Sequence, residues 1–145
     1  MLKTAGIIII GNEILSGKVK DMNSPYLCQE LRILGVEVRQ IITIPDIAEV
    51  IAQTVVKFSG SYTWVFTSGG IGPTHDDITI SSIAMGFGVE LYESPQIIEV
   101  IKNFHGSKMT SAHRRMAMIP SGSELIESSE GRPPQLQFRN IFKIG

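Results

Sequence analysis

Thr63-Trp64-Val65-Phe66-Thr67-Ser68-Gly69-Gly70-Ile71-Gly72-Pro73-Thr74-His75-Asp76-Asp77 decides the fold. An apolar strand pattern runs straight into three glycines in four residues, and a stretch with helical spacing follows. Glycines permit close approach of the backbone to a ligand with N–H groups turned outward, and the start of the next helix adds partial positive charge. Phosphate is the expected guest. The adjacent carboxylates of Asp76 and Asp77 would repel it, and a divalent cation between acid and phosphate resolves that conflict.

Upstream, Ala5 to Ile10 reads as a first strand. Its run Ile7-Ile8-Ile9-Ile10 is too short to span a bilayer and suits a strand buried on both faces. Gly11-Asn12-Glu13 turns the chain out. Ser24-Pro25 reads as cap and first helical position of a helix carrying Leu27, Leu31 and Leu34 and stopped by Gly35. Val36 to Ile44 is a second strand closed by Pro45. Asp46 with Glu49 forms a capping-box-like pair for a helix with Ile47, Val50, Ile51, Val55 and Phe58 on one face. Thr63 to Thr67 is the third strand, and Thr74 is placed to cap a helix through Ile78, Ile83, Ala84 and Phe87. Strand and helix alternate three times, which implies a mostly parallel sheet with right-handed crossovers, a three-layer α/β/α architecture.

Downstream, Ser94-Pro95 repeats the cap-and-proline signal before Ile97, Ile98, Ile101 and Phe104, with Gly106 as the stop. A short basic helix includes His113-Arg114-Arg115. Gly122 to Pro134 reads as an irregular or antiparallel excursion, and Phe138 to Ile144 as a last strand. With 145 residues, 43% apolar and 19% charged, the chain is expected to form one domain over residues 1–145. A net charge of −1 gives no chain-wide attraction to nucleic acid or an anionic membrane. A single cysteine, Cys28, excludes an internal disulfide framework and, with no leader pattern, leads to the expectation of a cytoplasmic protein.

In an open α/β sheet, ligands bind beyond the carboxyl ends of the strands. Three such loops here each carry acid: Glu13 after the first strand, Asp46 after the second, Asp76 and Asp77 after the third. Each also has an ordinary alternative. A helix cap accounts for Asp46, and the helix dipole favours Asp76 and Asp77. Arg114 and Arg115 read either as a phosphate clamp or as a solvated face, and Lys18 and Asn23 either as reaching the crevice or as a polar loop. His75 has no nucleophile to serve. The loop lacks the lysine of a Walker-type motif and there is no G-x-G-x-x-G, which disfavours an ordinary nucleoside triphosphatase or a Rossmann dehydrogenase.

Gly11-Asn12-Glu13-Ile14-Leu15-Ser16-Gly17-Lys18, Asp21-Met22-Asn23, Pro45-Asp46 and the Thr67–Asp77 loop together resemble the molybdopterin-binding (MoaB/MogA-like) domain. The resemblance is strongest to the N-terminal domains of CinA proteins and of eukaryotic FAD synthases. Arg114 to Pro120 and Arg139-Asn140-Ile141-Phe142 match late segments of the same family. The resemblance implies a homo-oligomer, dimer or trimer, with a nucleotide or pterin phosphate at the carboxyl edge. It also implies metal-dependent hydrolysis of a dinucleotide pyrophosphate such as ADP-ribose. The alternatives are a non-catalytic molybdopterin or nucleotide module, or a molybdopterin adenylyltransferase of molybdenum cofactor biosynthesis. On this reading Asp46, Asp76 and Asp77 are catalytic, and Glu13, Asp76 and Asp77 hold magnesium, manganese or cobalt. Gly11, Asn12, Asn23, Thr67, Ser68, Gly69, Gly70, Gly72 and Thr74 line the ligand. Asn12 stands where many relatives have Asp, and in relatives a Pro-Gly-rich loop continues past the position of Gly145.

Overall fold

β1 (Lys3–Ile10) is the spine of the molecule. Ile8 and Ile10 point to one side of the sheet and Ile7 and Ile9 to the other, all four almost wholly buried. The alternation of side chains along an extended strand makes an unbroken apolar run the signature of this double burial. The computed structural model describes residues 2–70, 78–127 and 135–144.

β1 is flanked by β2 (Val36–Ile44) and β3 (Trp64–Gly69), both parallel to it. The sheet continues through β8 (Ile141–Ile144), parallel to β3, then β7 (Gln135–Phe138) and β6 (Glu124–Ile126), which are antiparallel. The order is β2-β1-β3-β8-β7-β6. Register shifts between Ala5 and Gly6 opposite β2. A Cβ at Gly6 would sit 2.6 Å from the rings of both Phe58 and Tyr62, so only a bare backbone lets α3 (Ala48–Ser61) rest there.

α3 and α4 (Ile78–Phe87) cover one face through Ile51, Val55, Phe58 and Ile83, joined by Ile44, Val65, Phe138 and Ile141. On the other face lies α2 (Asn23–Ile33), through Leu27 and Leu31, with Cys28 half-buried beside them. The three-layer α/β/α expectation is met. Phe66 stacks on Phe142 at 5.4 Å between ring centroids, extending that second core over β3 and β8. At 25 cal/mol/Å², burying each such isoleucine or leucine contributes about 1.5–3 kcal/mol, and this, more than helix propensity, holds the layers together.

Several local expectations change. α2 begins at Asn23, with Ser24 and Pro25 inside its first turn, where proline is tolerated. The capping carboxylate belongs to Asp21, which accepts from the backbone N–H groups of Asn23 (3.0 Å) and Ser24 (3.1 Å) and from the Ser24 hydroxyl. Asp46 is not a cap: α3 starts at Ala48 and its N-terminus receives no side-chain hydrogen bond. The final strand divides into the β7–β8 hairpin, because Arg139 takes a left-handed conformation at φ 53°. The excursion contributes β6. The sequence reading also missed β4 (Leu91–Glu93) and β5 (Met118–Pro120), an antiparallel ribbon separate from the main sheet. α5 (Pro95–His105) does start as expected, with Ser94 Oγ accepting from the Ile97 N–H at 3.3 Å, and Gly106 ends it. α1 (Asn12–Leu15) and α6 (Ser111–Arg115) are single turns, and α6 holds the basic triplet.

Candidate ligand crevice at the carboxyl edge

Strand order places the switch point between β1 and β3, since the chain passes from β1 to β2 on one side and then crosses to β3 on the other. Loops that leave neighbouring strands in opposite directions open a crevice there. Ile10 pairs in register with Ile44 and with Gly69, so the loops after β1, β2 and β3 leave the sheet at one level.

Loops one and two are tied directly. The Gly11 N–H donates to Ile44 O at 3.1 Å, and the Asp46 N–H donates to Asn12 Oδ1 at 3.2 Å. The Glu13 carboxylate folds back over Gly11, where a Cβ would overlap it. Glu13 itself is exposed. Asp46 is half-buried, yet its Oδ1 is shut away from solvent and, among the described residues, accepts no hydrogen bond. An uncompensated buried carboxylate oxygen costs free energy, and sites that persist at such a cost commonly exist to meet a ligand's donor.

The glycine loop is gripped on both sides. Gly69 (φ +96°) and Gly70 (φ +80°) occupy the left-handed region. A Cβ on Gly69 would overlap the Ile10 carbonyl oxygen, and one on Gly70 would overlap Thr79 Oγ1. Thr79, fully buried on α4, donates its hydroxyl to Gly69 O at 3.0 Å, and the Ile78 N–H donates to Gly70 O at 3.1 Å. Gly69 and Gly70 are therefore pinned between the end of β1 and the start of α4. No composition signal marks Thr79 as its anchor; only its helical position facing β3 could have suggested it.

Ser68 faces the α2 side of the sheet and is 5% exposed; its Oγ accepts from Asn23 Nδ2 at 2.5 Å. This contact brings the loop after β1 to the end of β3. Thr67 points the other way, fully buried, with its Oγ1 unpartnered among the described residues. Hydrogen bonds thus tie Gly11, Asn12 and Asp46 together after β1 and β2, with Glu13 folded over Gly11, and tie Asn23 to Ser68 just before Gly69 and Gly70 at the end of β3. Gly72, Thr74, His75, Asp76 and Asp77 lie outside the described residues. Among the described residues no three His, Cys, Asp or Glu side chains stand together as a metal site. Lys18 is exposed in the loop after α1, and Arg114 and Arg115 are exposed on α6. No helix among the described residues is long and apolar enough to cross a membrane.

Comparison with known proteins agrees with this arrangement. Residues 6–129 match the family model described as a probable molybdopterin binding domain. A protein of Aeropyrum pernix is 38% identical over 133 residues, covering 90% of this chain and 50% of that protein. A probable FAD synthase of Caenorhabditis elegans is 44% identical over 102 residues, covering 70% of this chain and 20% of that protein. The chain therefore spans half or less of these two relatives. The crystal structure of the protein CinA from Thermoplasma acidophilum superposes with a TM-score of 0.86 at 28% identity, over 98% of this chain and 87% of that one.

Proposed function

Because this chain belongs to the molybdopterin-binding-domain family, in its CinA-like branch, we propose that its crevice binds a dinucleotide pyrophosphate of the ADP-ribose type and hydrolyses it. The observation that carries the reading is that Asp46 Oδ1, buried and without a hydrogen-bond partner among the described residues, follows β2, while the left-handed Gly69 and Gly70 end β3 at the same level of the sheet, with β1 between the two.

Each residue then has a physical task. The backbone of Gly69, Gly70 and Gly72 with the Ser68 hydroxyl would hold phosphoryl oxygens, and donors fixed before the ligand arrives need no reorganisation during reaction. Asp46 orients a hydroxyl of the nucleotide or the attacking water, because an acceptor without a donor among the described residues is open to the ligand. Glu13, Asp76 and Asp77 would hold magnesium, manganese or cobalt. Such a cation supplies a water of lowered pKa and neutralises charge on the departing phosphate. Gly11, Asn12, Thr67 and Thr74 shape the loops around the ligand. An oligomer of this chain is part of the proposal, as is a cytoplasmic setting.

The test is incubation with ADP-ribose, FAD or NAD and each of the three metals, with AMP as the readout. Asp46→Asn should lower AMP formation at least about 100-fold while leaving the unfolding midpoint within about 3 °C. Absence of AMP from every combination rejects the proposal. A pterin-holding module without turnover is the second reading, favoured by the family's description as a binding domain. Calorimetry with molybdopterin separates the two: tight binding without AMP release supports the module.

A further inference from the structure

The hydrogen bond between Asn23 and Ser68 does more than join two loops. An amide NH₂ can only donate, so the Ser68 oxygen spends an acceptor site on Asn23 and its single O–H is left for another partner. Within the described residues the Ser68 hydroxyl makes no other hydrogen bond, although the side chain is 95% buried at the end of β3. A buried hydroxyl whose proton has no acceptor among the described residues thus lies one residue before the glycine loop. We infer that Asn23 is a positioning residue: it sets the polarity of Ser68, so that the hydroxyl presents a proton to an anionic oxygen of the ligand.

The consequence is a crevice with two chemically opposite walls. The β3 side, Ser68 with Gly69 and Gly70, presents donors and favours a phosphoryl oxygen. The β2 side, Asp46 Oδ1, presents an acceptor and favours a hydroxyl or N–H. A ligand matching both carries an anion and a donor group in one small unit, as the phosphoribosyl part of a dinucleotide does. The inference rests on the proposed binding of such a ligand.

α2 is nucleated by Asp21, which holds the backbone N–H groups of Asn23 and Ser24, so the Asn23 side chain is not required to start the helix. Asn23→Ala should therefore fold. Asn23→Asp removes the donor and offers only acceptors, which turns the Ser68 proton back toward α2 and gives the ligand a lone pair.

The experiment is calorimetric titration of ADP-ribose with magnesium into the wild type, Ser68→Ala, Asn23→Ala, Asn23→Asp and the double variant Asn23→Ala/Ser68→Ala. Thermal unfolding of each serves as the folding control. A hydrogen bond to a charged oxygen makes Ser68→Ala weaker by roughly tenfold or more. Asn23→Ala should lose about three- to tenfold, and Asn23→Asp at least as much as Ser68→Ala. The decisive value is the double variant: once the hydroxyl is gone Asn23 has nothing to orient, so it should match Ser68→Ala within about twofold. Losses that multiply, or an Asn23→Asp variant that binds like the wild type, overturn the inference. A wild type that binds no ADP-ribose rejects the functional reading itself and removes the inference with it. If Asn23→Ala does not fold, Asn23→Ser, which keeps a donor, should bind within about threefold of the wild type while Asn23→Asp does not.

Discussion

Placing an alanine at Gly69 or at Gly70 separates two kinds of obstruction within one loop. Both residues are left-handed, which costs a non-glycine residue about 1–2 kcal/mol. At Gly69 the new methyl meets the Ile10 carbonyl oxygen, part of the central strand, which cannot withdraw without parting β1 from β3. Adding the overpacking cost of about 1–3 kcal/mol gives a loss of about 2–5 kcal/mol, or about 6–20 °C in a domain of this size. At Gly70 the methyl meets Thr79 Oγ1, a side-chain atom. Removing that atom by Thr79→Ala leaves the nearest contact at Thr79 Cβ, 3.2 Å away, which small shifts accommodate. Thr79→Ala alone should cost about 1 kcal/mol for its bond to Gly69 O. Combined with Gly70→Ala it should recover about 1–2 kcal/mol relative to the sum of the single changes. It should recover nothing for Gly69→Ala, whose obstruction is backbone. Urea unfolding at constant m reads the five variants against the wild type. The account fails if Thr79→Ala rescues both alanines equally, rescues neither, or if Gly69→Ala costs less than about 1 kcal/mol.

Two further changes test the parts that hold this edge in place. Asn140 donates through Nδ2 to Ser59 O (2.9 Å), Tyr62 O (3.0 Å) and Thr63 O (3.3 Å), and its Oδ1 accepts from Ser59 Oγ at 2.6 Å. Asn140→Ala orphans three carbonyls where α3 turns into β3, and a loss of about 2–4 kcal/mol is expected by chemical denaturation; a change under 1 kcal/mol would show that water replaces the amide. Ser94→Ala removes the cap of α5 and should lower stability by about 1 kcal/mol, a shift of roughly 3–4 °C in a thermal melt, while no shift would mean that packing alone holds α5.

Legibility differed from element to element for physical reasons. The tetra-isoleucine strand, the β2 segment and the Ser94-Pro95 start were readable because their signals are local: double burial, β-branched content and capping chemistry. The Ser24 and Asp46 caps were misplaced because a serine or aspartate before an apolar run fits a cap or a site equally, and only the backbone path chooses. Asp21 took the first task, and Asp46 was left with its backbone N–H on Asn12 and one oxygen unpartnered. The β4–β5 ribbon was invisible because three-residue strands whose paired residues lie 25 to 29 positions apart in sequence carry no periodicity of their own.

By itself the order of residues determined the α/β class, the glycine loop after the third strand and the acids after each of the first three, since turn chemistry and apolar spacing act over a few neighbours. Only the folded arrangement decided that Asn12 holds Asp46, that Asn23 holds Ser68 and that Thr79 locks Gly69. Those contacts join residues 10 to 45 positions apart, and their existence depends on strand order and register, which no local stretch of chain encodes.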